Sequence, residues 1–211
     1  MTAPDALLLI STHCPHCPIV LVALADMVKR GDIGKLEVVN VEAHPDIART
    51  LGVRSVPWLK LGLIELTGVR SEAELRDWVA KANTESGVAD YFHQLLKEGQ
   101  MARVLESLQG DPTQLSAVLP IVANVDASLN VRLGAGVLIE EFAHSTALQA
   151  LVPRLGELSA HDDARVRADA SHYLGLTGSA AARAWLQARL DDEDPDVREI
   201  AAESLAALPA A

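Results

Sequence analysis

The stretch Ala6-Leu7-Leu8-Leu9-Ile10-Ser11-Thr12-His13-Cys14-Pro15-His16-Cys17-Pro18 decides how this chain is read. Five successive apolar residues make a run short enough for a buried strand, and the only two cysteines of the chain follow almost at once. Working outward, the pattern predicts a helix over 15–30, with Ile19, Val22, Ala23 and Val28 as buried positions and Gly31 ending it. A second strand is expected over 36–41 and a short helix over 46–51. After Gly52, Val53-Arg54-Ser55-Val56-Pro57-Trp58-Leu59-Lys60-Leu61 reads as a turn into a third strand. Pro57 belongs at that strand's start, because proline has no N–H to give to a ladder. A fourth strand over 63–66 and a helix over 72–81, with Leu75, Trp78 and Val79 on one face, complete the order β-α-β-α-β-β-α.

That order, with Cys14-Pro15-His16-Cys17 after the first strand and Ser55-Val56-Pro57 before the third, resembles the thioredoxin superfamily in its small glutaredoxin-like form. The likeness covers residues 5–82. It is similar to the glutaredoxin-like domains at the N-terminus of alkyl hydroperoxide reductase flavoprotein subunits, which also place a proline directly after the second cysteine. Residues 62–70 lack the paired glycines and acidic residue with which glutaredoxins hold glutathione, and His13 stands where thioredoxins carry tryptophan. The dipeptide Pro15-His16 is that of a family of periplasmic thiol oxidases. The resemblance implies that the Val56-Pro57 bond is cis and exposes the Val56 backbone beside Cys14 for pairing with an extended substrate. Trp58, following the proline into the strand, is expected in the core.

The residues themselves carry a chemical argument. A cysteine at a helix N-cap faces unpaired N–H groups and the positive end of the helix dipole, both of which favour thiolate. Cys14 is thus expected as the nucleophile and Cys17, three residues on, as the resolving thiol. Pro15 suits the first helical position, Pro18 removes one early helix bond, and a protonated His16 adds a charge beside the sulfurs. Two cysteines are half a structural zinc site. His13 and His16 would complete it only by placing four donors within five residues, so no metal is expected. The redox-active disulfide Cys14–Cys17 is the only redox group foreseen, with no separate cofactor.

Composition describes an ordinary folded chain: 211 residues, 49% hydrophobic and 22% charged. Its longest apolar runs fall short of the roughly 18 residues of a membrane helix, and the N-terminus lacks the features of a secretory signal. Membrane association is not expected, and a cytoplasmic location is. A formal net charge of −11 speaks against nucleic acid as a partner. The charge is uneven, about −1 over residues 1–84 and −10 over residues 85–211. Composition shifts at the same place, from Val, Ile and Pro to Ala and Leu at helical spacing. The expected domains are therefore 1–84 and 85–211, joined near the small, polar stretch 83–87 with Gly87 as a helix stop.

The second domain contains an internal repeat. Val131-Arg132, Val166-Arg167 and Val197-Arg198 align, with Ala135, Ala170 and Ala201 four residues after each Val and Ile139, Leu174 and Leu205 eight after. Ser128, Asp163 and Asp194, three before each Val, are helix-capping types. Second helices are expected over 146–158 and 179–190, giving helix pairs that resemble short HEAT-type repeats over about residues 112–211. Upstream, 88–108 and 112–122 read as helical and as a capping repeat. His144, His161 and His172 are expected at surface or cap positions. Asp191-Asp192-Glu193-Asp194 reads as a turn and cap without the alternating ligands of a calcium loop.

The fold class expected is therefore an α/β thioredoxin-like domain followed by an all-α HEAT-like solenoid. The function expected is thiol-disulfide exchange on a protein client bearing a disulfide or thiol, recharged by a protein or small-thiol electron donor, with the solenoid as docking module. The competing reading is a non-enzymatic HEAT adaptor whose first domain docks a partner or acts as a redox switch, and a third is metal transfer through the Cys-His cluster.

Overall fold

The computed structural model describes residues 3–209. The chain forms two compact units, the first ending at Tyr91 and the second beginning at Phe92.

The first unit is built on a four-stranded sheet in the order β2-β1-β3-β4. Its strands are β1 (Asp5–Ile10), β2 (Lys35–Asn40), β3 (Trp58–Leu61) and β4 (Ile64–Thr67). β1 runs parallel to β2 and antiparallel to β3, and β4 turns back on β3. Its helices are α1 (Cys17–Arg30), α2 (Pro45–Thr50) and α3 (Glu72–Lys81), in the predicted β-α-β-α-β-β-α order. The apolar run in β1 follows from burial on both faces: Leu8 and Leu9 point to opposite sides and both are wholly buried. Leu9 shares one cluster with Val39 and Trp58, closed by Ile47, Leu51 and Val53 from α2 and the segment after it. α1 and α3 pack together. Ser71 starts α3 with a reciprocal capping box, its hydroxyl accepting from the Glu74 N–H while the Glu74 carboxylate accepts from the Ser71 N–H.

α1 departs from the expectation in two respects. It begins at Cys17 rather than residue 15, because Pro18 has no N–H to reach the Cys14 carbonyl and residues 15–16 stay a turn. Cys14 and Pro15 are therefore not its N-cap and first residue; His16 takes the cap position and makes no capping bond with its side chain. The buried stripe is Cys17, Val20, Leu24 and Met27, while Ile19 and Val22 are 56% and 62% exposed and Ala23 and Val28 only partly buried. Gly31 does end the helix, in the left-handed conformation at φ 82°. Leu24→Ala is expected to lower unfolding free energy by about 2–5 kcal/mol and Val22→Ala by less than about 0.5, in urea titrations of the two variants. Equal losses would place the buried face wrongly.

The boundary between units falls inside α4 (Glu85–Lys97). Gly87, expected to stop a helix, lies within this one, where a Cβ would collide with the Lys81 carbonyl. The helix expected over 88–108 is broken at Gly99, φ 72°, and resumes as α5 (Met101–Gly110). A 3₁₀ segment, Pro112–Val118, leads into α6 (Leu119–Val122).

The repeat helices are α7 (Leu129–Glu140), α10 (Ala164–Leu176) and α12 (Pro195–Ala207). Their aligned Val131, Val166 and Val197 and Ala135, Ala170 and Ala201 are all fully buried. Asp163 and Asp194 cap α10 and α12 with their carboxylates; Ser128 precedes α7 without such a bond. The intervening helices are shorter than expected. Residues 146–158 divide into α8 (Thr146–Gln149) and α9 (Val152–Leu158), since Pro153 cannot donate to Gln149. Residues 179–190 form a 3₁₀ turn, Ala180–Ala182, and α11 (Arg183–Gln187).

The arginines of the repeated Val-Arg pairs hold the turns. One guanidinium nitrogen of Arg167 donates to the carbonyls of His161 and Asp162, and that of Arg198 to the equivalent carbonyls of Asp192 and Glu193. Arg167 also grips both carboxylate oxygens of Asp192, at 3.0 and 2.8 Å, with the two side chains only 7% and 3% exposed. Arg132 pairs instead with Asp169 on α10, at 2.7 Å. His161 accepts from the Asp163 N–H ahead of α10, a cap role.

Candidate active site

Three segments leave the sheet at one end. Because Leu9 pairs with Trp58 in an antiparallel register, the residues after β1 and those before β3 emerge side by side; the parallel β1–β2 pair adds the residues after Asn40. That brings Cys14, Val56 and Glu42 into one neighbourhood from positions far apart in sequence.

Cys14 and Cys17 lie at disulfide distance, paired, with Cα atoms 5.5 Å apart. Cys17 is 2% exposed whereas Cys14 is only partly buried, so an incoming molecule reaches the Cys14 sulfur first. The Cys17 backbone N–H donates to Cys14 Sγ at 3.1 Å. This is the bond an N-cap side chain makes to the third helical residue, retained although the regular helix starts later.

The Val56–Pro57 bond is cis, and the Val56 carbonyl oxygen lies 3.8 Å from Cys14 Sγ. Pro57 is buried directly before β3, its carbonyl accepting from the Gly68 N–H at 2.9 Å. Trp58 is buried at 4% exposure and faces the core. Pro15 and His16 are exposed on the turn between the cysteines.

Sequence reasoning passed over Asn40 and Glu42. The Glu42 carboxylate accepts from the Thr12 N–H at 3.2 Å and lies 3.6 Å from His13 Nδ1. Asn40 donates to the Thr12 hydroxyl at 3.1 Å and accepts from the Glu42 N–H at 2.9 Å. Hydrogen bonding by Thr12, which outweighs the opposing effect of burial and is helped by His13, holds the Glu42 carboxyl below its ordinary range. These bonds tether the loop that carries Cys14. Only the strand register brings the two ends together, and the sequence around Glu42 carries no motif to mark it.

Among the described residues, no three His, Cys, Asp or Glu side chains converge as a metal-binding group. After reduction, Cys14 is expected to react with iodoacetamide at pH 7 at least about tenfold faster than Cys17, followed residue by residue by mass spectrometry. Equal rates would remove the distinction between the two sulfurs.

Fold and site together define a thioredoxin-like domain bearing a cysteine pair, continued by helical repeats. Residues 6–80 match the family model described as thioredoxin domain, and residues 115–206 match that described as HEAT repeats. The chain is thus a thioredoxin-like domain joined to HEAT repeats. No curated protein matches it. Among the described residues, no helix is long and apolar enough to cross a membrane.

Proposed function

We propose that the chain is a thiol-disulfide oxidoreductase that reduces disulfides of a protein client, with residues 1–84 performing the exchange and the acidic repeats of residues 85–211 docking the client. One observation carries this reading: the accessible Cys14 sulfur accepts a bond from the Cys17 N–H and faces the Val56 carbonyl. The Cys14 thiolate attacks one sulfur of the client disulfide, forming a mixed disulfide, and the other client sulfur leaves as a thiolate and takes up a proton. Cys17 then loses its proton and attacks the Cys14 sulfur. The Cys14–Cys17 disulfide forms, the second client thiol departs, and two electrons have passed to the client. A protein or small-thiol donor restores the dithiol. Val56 offers its backbone to an extended substrate, Pro57 orients it, and Pro15 and His16 border the sulfurs. We place the chain in the cytoplasm, whose reducing poise favours this direction.

The full-length chain with dithiothreitol should reduce insulin at least about tenfold faster than dithiothreitol alone, read as turbidity, and Cys14→Ser should return the rate to background. A wild-type rate no faster than background would defeat the proposal.

A further inference from the structure

A groove of about 560 Å³ crosses α7, α10 and α12 in the second unit. Along its α7 side run Leu129, Leu133 and Val137, exposed by 70%, 61% and 38%. Their i, i+4, i+8 spacing makes an apolar stripe about 12 Å long, of the kind that receives one face of a helix. At the same repeat positions α10 carries Ala164, Ala168 and His172, and α12 carries Pro195, Glu199 and Glu203. Of these, the α10 residues line the groove, whereas on the α12 side the lining is Asp194, Asp196 and Ile200.

Charge along the groove is one-sided. Its two arginines are already engaged, Arg132 with Asp169 and Arg165 with Asp163, each at 2.7 Å. Glu140 and Asp196 remain exposed in its lining, with Glu140 3.6 Å from His172. A second feature points inward. Tyr173 lines the groove at 5% exposure. Gly136 leaves the space its hydroxyl occupies, since a Cβ there would stand 2.9 Å from it. Burial, with Asp169 and Glu140 adding to it, pushes the phenol up, so it stays a neutral donor.

We propose that this groove binds an amphipathic, cationic helix of the client, its apolar edge on Leu129, Leu133 and Val137 and its Lys or Arg side chains over Glu140 and Asp196. The inference deepens the docking role proposed above and rests on it. The small alanines of α10 leave room for a helix between the two sides, and the open carboxylates set its charge.

The test uses the full-length chain and a fluorescein-labelled peptide of about 18 residues, a Leu/Lys amphipathic helix, with fluorescence anisotropy as readout. Leu133→Asp, and separately the pair Glu140→Lys and Asp196→Lys, should each weaken binding at least about tenfold. Glu106→Lys, on α5 and outside the groove lining, should leave it within about twofold, and a Leu/Glu peptide should not bind. Equal weakening by Glu106→Lys would mean diffuse charge attraction and would overturn the groove. So would unchanged affinity in the groove variants, or a wild-type dimer that Leu133→Asp converts to monomer in light scattering, which would make a second copy the occupant. Insulin reduction by the wild-type chain is read in parallel. Turnover without groove-dependent binding sinks this inference alone, and absence of turnover sinks the oxidoreductase reading whatever the peptide does.

Discussion

A Cys17→Ser chain exposed to oxidised clients should accumulate a covalent adduct through Cys14, at least about a hundredfold above the level formed by Cys14→Ser. The expectation follows from the asymmetry of the pair. Cys14 is partly open and Cys17 is 2% exposed, so attack from outside is expected on Cys14 and resolution by Cys17 from within. Serine at 17 cannot attack the mixed disulfide, which then persists until an external thiol arrives. Non-reducing gels with mass identification read the adduct, and dithiothreitol should release it. Adduct from Cys14→Ser but not from Cys17→Ser would reverse the roles. A chain with both cysteines changed to serine that still captures its partner, together with no adduct from Cys17→Ser, would favour the adaptor over the enzyme.

Arg167→Ala should destabilise the repeats by about 2–3 kcal/mol and raise amide exchange in α10 and α12. Its loss strands the Asp192 carboxylate, 3% exposed, and frees the carbonyls of His161 and Asp162. Arg189, 3.4 Å from Asp192, and the Asp194 N–H retain part of the compensation, which keeps the expected loss below that of a fully orphaned buried charge. Arg167→Lys should recover only part of it, because one ammonium cannot replace the two-pronged grip. Burial pushes the Asp192 carboxyl up, but Arg167 and the Asp194 N–H outweigh it and hold the group below its ordinary 3.8. A folded-state value that is lowered means stability present above the ordinary value and lost as pH falls below it. The gap between wild type and Arg167→Ala should therefore be full at pH 7 and shrink below about pH 4 in urea titrations. A gap that is absent at pH 7, or grows toward acid, would refute the role.

Much of the first unit is legible because its signals are local. Short apolar runs, Gly31 and Pro57 each mark an element by what a few neighbouring residues can do. The inward face of α1 is not legible in this way. Residues 19–25 are apolar on every side save for the small alanines, so periodicity offers two stripes, and packing alone selects the one through Val20, Leu24 and Met27.

In the repeats, periodic Val, Ala and Leu reveal the buried face, while the partners of each arginine stay hidden. Arg132, Arg167 and Arg198 occupy one repeat position, yet Arg132 crosses to Asp169 whereas the other two close the turn before their own helix. Asp192 shows the same limit. As part of an acidic run it reads as turn and cap, and its burial depends on a guanidinium 25 residues earlier.

The sequence by itself determined the order of the elements in the first unit, the cysteine pair and the phase of the repeat, since each follows from interactions between residues close along the chain. Tertiary structure decided what stands around the pair. The antiparallel register Leu9 to Trp58 brings Val56 to Cys14, and the parallel β1–β2 pair brings Asn40 and Glu42 to Thr12 and His13. Register is set by the packing of both sheet faces at once, a condition on the whole unit that no short stretch of residues records.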